Sequence, residues 1–281
     1  MKDSPPPFES LALVMTRSPK ILVFDSGLGG LTVFSEIAKI RPNAEFVYCA
    51  DDAGFPYGSW GERELIARIL SVMEALIDQH RPDIVVIACN TASTLALPQL
   101  RAHWPGVLFV GTVPAIKPAA AMSRTKLISV LATPGTVARD YTQKLIQEFA
   151  GGCSVTLVGS KHLAKLAESA IHGKEIADGA IASEIASCFV QRDGARTDVI
   201  VLACTHYPLL LESLARLAPW PVDWIDAAPA IARRADQVLV ENLGPDAPNG
   251  DAPRRRAIFT SGAAPSESLA ATLARYGLPA A

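Results

Sequence analysis

The chain has 281 residues, a formal net charge of −2 at pH 7, and a composition that is 49% hydrophobic and 19% charged. That length suits one large or two medium α/β domains with a sizeable core. The balanced charge gives no basic surplus for nucleic acid and no acidic tail, so we expect neither nucleic acid nor a membrane as a partner.

The cysteines and the N-terminal segment indicate the compartment. The five cysteines, at positions 49, 89, 153, 188 and 204, form no C-x-x-C pair. An odd number without regular spacing favours reduced thiols over a disulfide framework. Residues 1–19 resemble a loose extension, and its apolar run Leu11–Met15 is too short for a secretory signal or a membrane span. We therefore predict a cytoplasmic protein.

After the extension, short β-branched runs alternate with longer amphipathic ones. The predicted buried strands are Ile21–Phe24, Glu45–Cys49, Asp83–Ala88, Val107–Val110, Leu127–Leu131, Ser154–Val158, Asp198–Ala203 and Val222–Ile225. Repetition of strand, helix and strand predicts parallel sheets with helices on both faces.

The clearest helical pattern lies between the second and third predicted strands. It spans Glu62–His80, and Ser59 with Glu62 matches the S-x-x-E capping box at its start. The predicted apolar face of this helix carries Leu65, Ile69, Met73, Leu76 and Ile77.

The second half of the chain repeats the first. Asp83–Cys89 is echoed by Asp198–Cys204, and both segments end a predicted strand on a cysteine. We expect two similar parallel-sheet α/β domains whose strand ends face a shared cleft, where such sheets bind ligands. A last strand, Arg256–Gly262, and a helix from about Ser266 should return to the first domain. The predicted division is 1–19 for the extension, 20–112 plus 226–281 for a discontinuous first domain, and 113–225 for the second.

The two strand-end cysteines, Cys89 and Cys204, are the strongest candidates for chemistry. Each lies where a strand meets a following helix, and free amides at a helix N-terminus favour a thiolate or a carboxylate. Pro98 fits the helix after Cys89 only if that helix starts shortly before it, and Pro208 suits a first helical position. One buried cysteine alone would more often be a small core hydrophobe, but matching cysteines in two repeats favour catalysis.

Two polar residues lie close to these strand ends. Asp25, in the glycine-rich segment Asp25–Gly30, could orient a base or bind an ammonium group, and capping the next helix is an equal alternative. The segment matches neither the P-loop nor the dinucleotide pattern. His206 could polarise Cys204 or pair with a substrate carboxylate. No closely spaced pair of metal ligands appears, so we expect no metal site.

The remaining candidates have weaker signals. Pro56–Gly58, in the loop Asp51–Gly61, could be a binding loop or lid, although a plain turn is the commoner explanation for such a segment. Cys49 and Cys153 fall in or beside strands and Cys188 on an apolar helix face, so we expect all three in the core.

Together these segments resemble glutamate racemase, of the aspartate/glutamate racemase superfamily. The matching segments, in family order, are Phe24–Leu31, Pro56–Gly58, Ala88–Ala92 and Ala203–Pro208. The likeness runs from about Ile21 to the C-terminus. Aspartate racemases share mainly the two cysteine segments, so four motifs in order indicate the glutamate enzymes.

The resemblance implies two α/β domains related by pseudo-twofold symmetry, with the active site between them. It implies a cofactor-independent reaction in which Cys89 takes the proton from D-glutamate and Cys204 from L-glutamate, with Asp25 and His206 as their polar neighbours. The implied substrate contacts are Asp25, Ser26, Tyr57, Gly58, Asn90, Thr91, Thr205 and His206, together with a carboxylate-holding threonine pair at Thr133 and Thr136. Glu168 matches a glutamate that supports the histidine, although the preceding Ser160–His162 departs from the usual family segment.

The resemblance also implies free glutamate as the substrate and D-glutamate for peptidoglycan as the product. Family members are often homodimers, and a cell-wall precursor is an expected activator. Three alternatives stay open. The same fold could act on aspartate or another α-acid, or it could bind an amino acid without catalysis. A thiolate–metal protein using Cys89, Cys204 and His206 is the most remote of them.

Overall fold

The computed structural model describes residues 18–244 and 254–279, so the predicted extension lies almost wholly outside the described residues. Two parallel sheets dominate the fold, one with strand order β11-β2-β1-β3-β4 and one with order β10-β9-β5-β6. The strands of the first sheet are β1 (Lys20–Asp25), β2 (Glu45–Ala50), β3 (Ile84–Ile87), β4 (Leu108–Gly111) and β11 (Arg255–Phe259). Those of the second are β5 (Leu127–Ala132), β6 (Ser154–Gly159), β9 (Val199–Ala203) and β10 (Asp223–Ile225).

The repeat predicted from the two cysteine segments is confirmed by strand order. The first sheet contains the order β2-β1-β3-β4, and the second, read from its other edge, has the matching order β6-β5-β9-β10. Every pairing in both sheets is parallel. The sequence did not indicate a short antiparallel hairpin, β7 (Gln191–Arg192) with β8 (Ala195–Arg196). The fold is thus α/β with two similar parallel-sheet halves, as predicted.

Helices cover both faces of the sheets. They are α1 (Leu31–Ile40), α2 (Glu62–His80), α3 (Asn90–His103), α4 (Ile116–Met122), α5 (Pro134–Val137), α6 (Asp140–Phe149), α7 (Leu163–Ile171), α8 (Asp178–Ile185), α9 (Leu211–Leu217), α10 (Ala228–Leu243) and α11 (Glu267–Arg275). Within residues 18–244 and 254–279, no helix is long and apolar enough to cross a membrane.

Alternate residues of β1 show why its sequence is a continuous apolar run. Ile21 and Val23 pack with α1 and α10 on one face, and Leu22 and Phe24 pack with α2 and α3 on the other. Burial of one such side chain contributes about 1.5–3 kcal/mol. The predicted apolar face of α2 lies in the second of these clusters and is buried, as expected.

The start of α2 corrects one prediction. The helix begins at Glu62 with Gly61 as its N-cap, and no side chain caps it. The Ser59 hydroxyl instead donates to the Pro56 carbonyl at 3.0 Å, within the 3₁₀ turn Tyr57–Ser59. A capping box needs the serine three residues before the third helical residue, but here the glutamate is the first helical residue. The predicted capping box was therefore wrong.

The expectation for Pro98 was also wrong. Helix α3 begins at Asn90, well before this proline, and continues past it to His103. A proline in a helix interior removes one backbone hydrogen bond. The first seven residues of α3 are nearly all buried, and this packing outweighs the local cost. After Cys204 the chain forms a 3₁₀ turn, Tyr207–Leu210, with Pro208 at its second position.

Two further predictions concern the C-terminal return and the other cysteines. β11 pairs with β2, and Leu269 of α11 belongs to the first-half core, as expected; the domain boundaries themselves stay a prediction. β11 ends at Phe259, three residues before the predicted end. Cys49 is buried in β2, and Cys153 is partly buried beside β6. Cys188 is buried too, but it lies in a 3₁₀ turn, not on a helix face.

Candidate active site

The carboxyl ends of β1, β3, β5 and β9 meet around one small cavity between the two halves. It is lined by Ser26, Phe55, Pro56, Tyr57, Gly58, Cys89, Asn90, Thr91, Thr133, Ala164, Cys204, Thr205 and His206. This set includes most of the predicted site residues. Asp25, Thr136 and Glu168 lie behind the lining and contact Thr205, Thr133 and His206 respectively. A more open cavity lies against α7 and α11 but carries no cysteine.

On one side of the cavity, Cys204 is paired with a histidine. The Cys204 Sγ lies 3.9 Å from Nδ1 of His206, and the ring's Nε2 lies 2.7 Å from Oε2 of Glu168. Burial alone would lower the pKa of His206, but the hydrogen bonds to Cys204 and Glu168 and their charges raise that pKa well above its usual value. The histidine is therefore an imidazolium near neutral pH, and it lies in contact with the Cys204 sulfur.

The backbone of the glycine-rich turn after β1 contacts His206 and Glu168 directly. The Leu28 amide donates to Glu168 at 3.1 Å, and the Gly29 amide nitrogen lies 3.3 Å from Nε2 of His206. The shorter contact of Nε2 with Glu168 requires the proton on Nε2. A Cβ on Gly29 would lie 2.4 Å from Nδ1 of His206, and one on Gly27 would lie 3.0 Å from Glu168. These glycines thus permit close approach of the second half, a role that the sequence did not reveal.

Cys89, from the first half, has a neutral hydroxyl and not a histidine as its hydrogen-bond partner. It is the N-cap residue of α3, and its thiol donates to the Ser26 hydroxyl at 3.7 Å. Burial raises the pKa of Cys89 to about 12, and the negative charge of Asp25 adds to this effect. The Ala92 amide and Ser26 oppose the rise without cancelling it. Cys89 is therefore a neutral thiol near neutral pH.

Asp25 joins the two halves behind the cysteines. It is completely buried, and its carboxylate accepts hydrogen bonds from the Thr205 hydroxyl at 3.0 Å and the Gly27 amide at 3.1 Å. Burial raises the pKa of Asp25, while the His206 charge and these hydrogen bonds act against that rise. The N-cap residue of α1 is Gly30 and not Asp25, although the Gly30 amide is among the groups that lower the pKa of Asp25.

Hydroxyl and amide groups gather at a third part of the site. The Thr91 Oγ1 lies 3.2 Å from that of Thr133 and 3.5 Å from that of Thr136, and the last two are 3.1 Å apart. The buried Oδ1 of Asn90 has no hydrogen-bond partner among the residues described. The first amides of α3 also lack acceptors within the helix. The hydroxyls and the helix amides can donate to a carboxylate, whereas the Asn90 oxygen can accept from an ammonium group.

Tyr57 offers less polarity to a ligand than its residue type suggests. Its phenol donates to Asp51, a buried residue at the end of β2, so its ring and backbone are what face the cavity. Asp51 was not among the predicted site residues, although it follows β2 as Asp25 ends β1. Phe55 was not predicted either, and its ring centroid lies 5.1 Å from that of His206.

The structure gives no support to the thiolate–metal alternative. In the described part of the chain, no group of three or more His, Cys, Asp or Glu side chains could hold a metal ion. Cys89, Cys204 and His206 all line the cavity, but they do not form such a group.

Sequence comparison assigns the family. The profile of the Asp/Glu/Hydantoin racemase family matches residues 32–235. Glutamate racemase of Sinorhizobium medicae is 54% identical over 250 residues, which cover 89% of this chain and 91% of that protein. The Brucella canis glutamate racemase is 58% identical over 219 residues, covering 78% of this chain and 79% of that protein. The chain belongs to the glutamate racemase family.

Solved glutamate racemases share the whole architecture. Escherichia coli glutamate racemase, in complex with L-glutamate and the activator UDP-MurNAc-Ala, has a TM-score of 0.83 at 38% identity, covering 93% of this chain and 96% of that chain. Aquifex pyrophilus glutamate racemase has a TM-score of 0.68 at 30% identity, covering 93% and 96%. As a glutamate racemase family member, the chain is an amino-acid racemase, that is, an isomerase.

Proposed function

We propose that the protein interconverts L- and D-glutamate by proton transfer between Cys89 and Cys204, without a cofactor. The observation that carries the proposal is that these cysteines, from corresponding strand ends of the two halves, line one small cavity. Inversion at a carbon needs a base on one face and an acid on the other. Two thiols on opposite sides of a cleft can supply both.

The surroundings of the thiols support a starting protonation state. With His206 as an imidazolium, Cys204 acts as the thiolate that removes the α-proton of L-glutamate, and the neutral thiol of Cys89 protonates the opposite face. After this step Cys204 holds the proton and Cys89 is the thiolate. The reverse reaction starts from that second state, in which Cys89 removes the proton of D-glutamate.

The remaining polar groups would bind the substrate and stabilise the carbanion. We assign the substrate carboxylates to Asn90, Thr91, Thr205 and the Thr133–Thr136 pair, and the ammonium group to the neighbourhood of Asp25. Ser26, Tyr57, Gly58 and His206 complete the wall around the substrate. Fixed donors in a small cavity stabilise negative charge that develops during the reaction, because they need not reorganise. Glu168 would hold His206 in place and keep it charged.

The relatives support the biological setting that we propose. L-glutamate bound to the Escherichia coli enzyme supports glutamate as the substrate here, and its activator UDP-MurNAc-Ala supports activation by a cell-wall precursor. We further propose that the product D-glutamate serves peptidoglycan synthesis in the cytoplasm. The proposal extends to a homodimer, which size measurement in solution would test.

The first experiment follows the circular dichroism of L-glutamate after addition of purified protein without pyridoxal phosphate. We expect the signal to fall to zero and stay there, because the enantiomers have equal free energies. In deuterium oxide the α-position should acquire deuterium. A constant signal without isotope exchange would contradict the proposal and favour an amino-acid-binding protein.

A parallel measurement tests the choice of substrate. We expect kcat/KM for L-aspartate to be at least about 100-fold lower than for L-glutamate, because the shorter acid leaves buried polar groups unpaired. Equal or better use of aspartate would contradict glutamate as the substrate while leaving the two-base scheme intact.

A further inference from the structure

A buried ion pair lies behind the loop that forms one wall of the cavity. Asp51 is completely buried, and Oδ1 accepts from Arg68 Nη2 at 2.6 Å and from the Thr260 hydroxyl at 2.5 Å. Its Oδ2 accepts from Arg68 Nε at 2.7 Å and from the Tyr57 phenol. The contact with arginine is bidentate, the geometry that fixes a carboxylate most firmly. Neither Asp51 nor Arg68 lines the cavity.

The loop between β2 and α2 wraps directly around this pair. A Cβ on Gly54 would lie 2.3 Å from Arg68 Nε and 2.8 Å from Asp51 Oδ2, so the backbone is in contact with both partners. The Trp60 indole donates to the Gly54 carbonyl at 2.9 Å, and its ring centroid lies 5.6 Å from the Arg68 guanidinium. Gly54 and Trp60, on either side of the Tyr57–Gly58 turn, are therefore both held by contacts with the ion pair.

The middle of the same loop faces the site. Tyr57 and Gly58 line the cavity beside Cys89, and a Cβ on Gly58 would lie 3.2 Å from the Thr133 Cβ of the second half. A shift of this turn would change the width of the space between Cys89 and Thr133. The position of the ion pair thus determines the dimensions of the space that holds the substrate.

We propose that Asp51 and Arg68 are positioning residues for racemization, which hold the Tyr57–Gly58 turn where it closes the cavity around the substrate. They act through Tyr57 and the loop backbone and do not touch the reacting atoms. The inference rests on the proposed function, since it assigns these residues to the same site. Thr260 assists by holding Asp51 from the side of β11.

The test must separate positioning from stability. Arg68→Met leaves the Asp51 carboxylate buried without its counter-charge, which by itself destabilises a protein. The double variant Asp51→Asn/Arg68→Met removes the unpaired buried charge, but it does not restore the bidentate contact that holds the loop. Arg68→Lys keeps the charge but cannot reproduce the bidentate fork. Arg63→Met, an exposed arginine on the same helix, is the matched control.

Steady-state kinetics with both enantiomers and thermal unfolding give the first readout. We expect KM to rise about tenfold in Arg68→Met and to stay raised in the double variant, because a misplaced wall weakens substrate contacts. The unfolding midpoint should fall in Arg68→Met and recover in the double variant, and Arg68→Lys should lie between. KM returning to the wild-type value together with the midpoint would show that the pair acts through stability alone.

Hydrogen exchange gives a second readout that needs no activity. Amides of residues 52–61 should exchange about tenfold faster in the double variant than in wild-type and Arg63→Met protein, while the core strands stay protected. Unchanged exchange in this loop would overturn the proposal. If wild-type protein proved inactive, the proposed function would fail, whereas the exchange data would still decide whether the pair holds the loop. If Arg68→Met fails to fold, Arg68→Lys and the double variant carry both measurements.

Discussion

The two halves carry a cysteine at the same strand end but surround it differently. Cys204 faces His206, whose pKa is raised well above its usual value by Cys204 and Glu168 despite its burial. Cys89 faces the neutral hydroxyl of Ser26, and burial raises its own pKa to about 12. The backbone is repeated, whereas the electrostatics is not. A symmetrical topology can therefore hold two cysteines in chemically unequal surroundings, and under the two-base scheme that we propose they would differ in their readiness to lose a proton.

Removing either thiol should leave the reaction without its base or without its acid. We expect Cys89→Ala and Cys204→Ala each to lower racemization at least about 10³-fold, since each turnover needs both groups. Circular dichroism with each enantiomer measures the loss. Cys153→Ala, outside the cavity, should keep nearly full activity and serves as the control. Wild-type rates in either cavity variant would refute the two-base scheme.

A smaller loss should follow from crowding the Cys204 side alone. In Gly29→Ala the new Cβ would lie 2.4 Å from Nδ1 and 2.6 Å from the backbone nitrogen of His206, so the histidine must move away from Cys204. We expect kcat to fall about 100-fold, because misplacement of about 1 Å costs that much. Gly106→Ala meets no atom within 4 Å and should behave as wild type. Equal activity of the two variants would show that the close approach is dispensable.

The charge on the Cys204 side can be tested by pH. Glu168 raises the pKa of His206, so Glu168→Gln should let the histidine lose its proton at lower pH. The alkaline limb of kcat/KM should then move to lower pH than in the wild-type protein. The exposed Glu175→Gln is the control. If the alkaline limb of kcat/KM did not move in Glu168→Gln, the protonation of His206 would not control the pH dependence of the reaction.

The smallest effect should come from the Cys89 side. Ser26→Ala removes a hydroxyl that accepts a weak, 3.7 Å hydrogen bond from the thiol. We expect kcat/KM to fall about fivefold, equivalent to about 1 kcal/mol. The pH profile should change less than in Glu168→Gln, because no charge is removed. If the pH profile shifted more in Ser26→Ala than in Glu168→Gln, the surroundings of Cys89 would matter more for the pH dependence than those of Cys204.

Elements that depend on local pattern were predictable from the sequence. Buried parallel strands such as β3 and β9 are continuous apolar runs, and a cysteine directly after each run marks the edge where ligands bind. Local rules failed where packing overrides them. Helix α3 continues past Pro98 because its buried face is well packed. Ser59 does not cap α2, because its hydroxyl donates to the Pro56 carbonyl in the preceding turn.

Within the site, the sequence indicated the residues but not their contacts. Gly29 and His206 are separated by 177 residues, and Leu28 and Glu168 by 140. Such contacts depend on how the two halves face each other, which a single sequence does not encode in any local pattern. Asp51 had a recognisable position after a strand, but its partner Arg68 looked like any charged residue on an amphipathic helix.

The return of β11 to the first sheet has a consequence during synthesis on the ribosome. The chain emerges N-terminus first, yet Thr260 donates to Asp51, which was made 209 residues earlier. Until β11 is made, β2 is an open edge strand, and open edges pair readily with other chains. The first half is therefore completed last although it is translated first. In a nascent chain stalled before residue 255 that edge would stay open, and Asp51 would lack its hydrogen bond from Thr260.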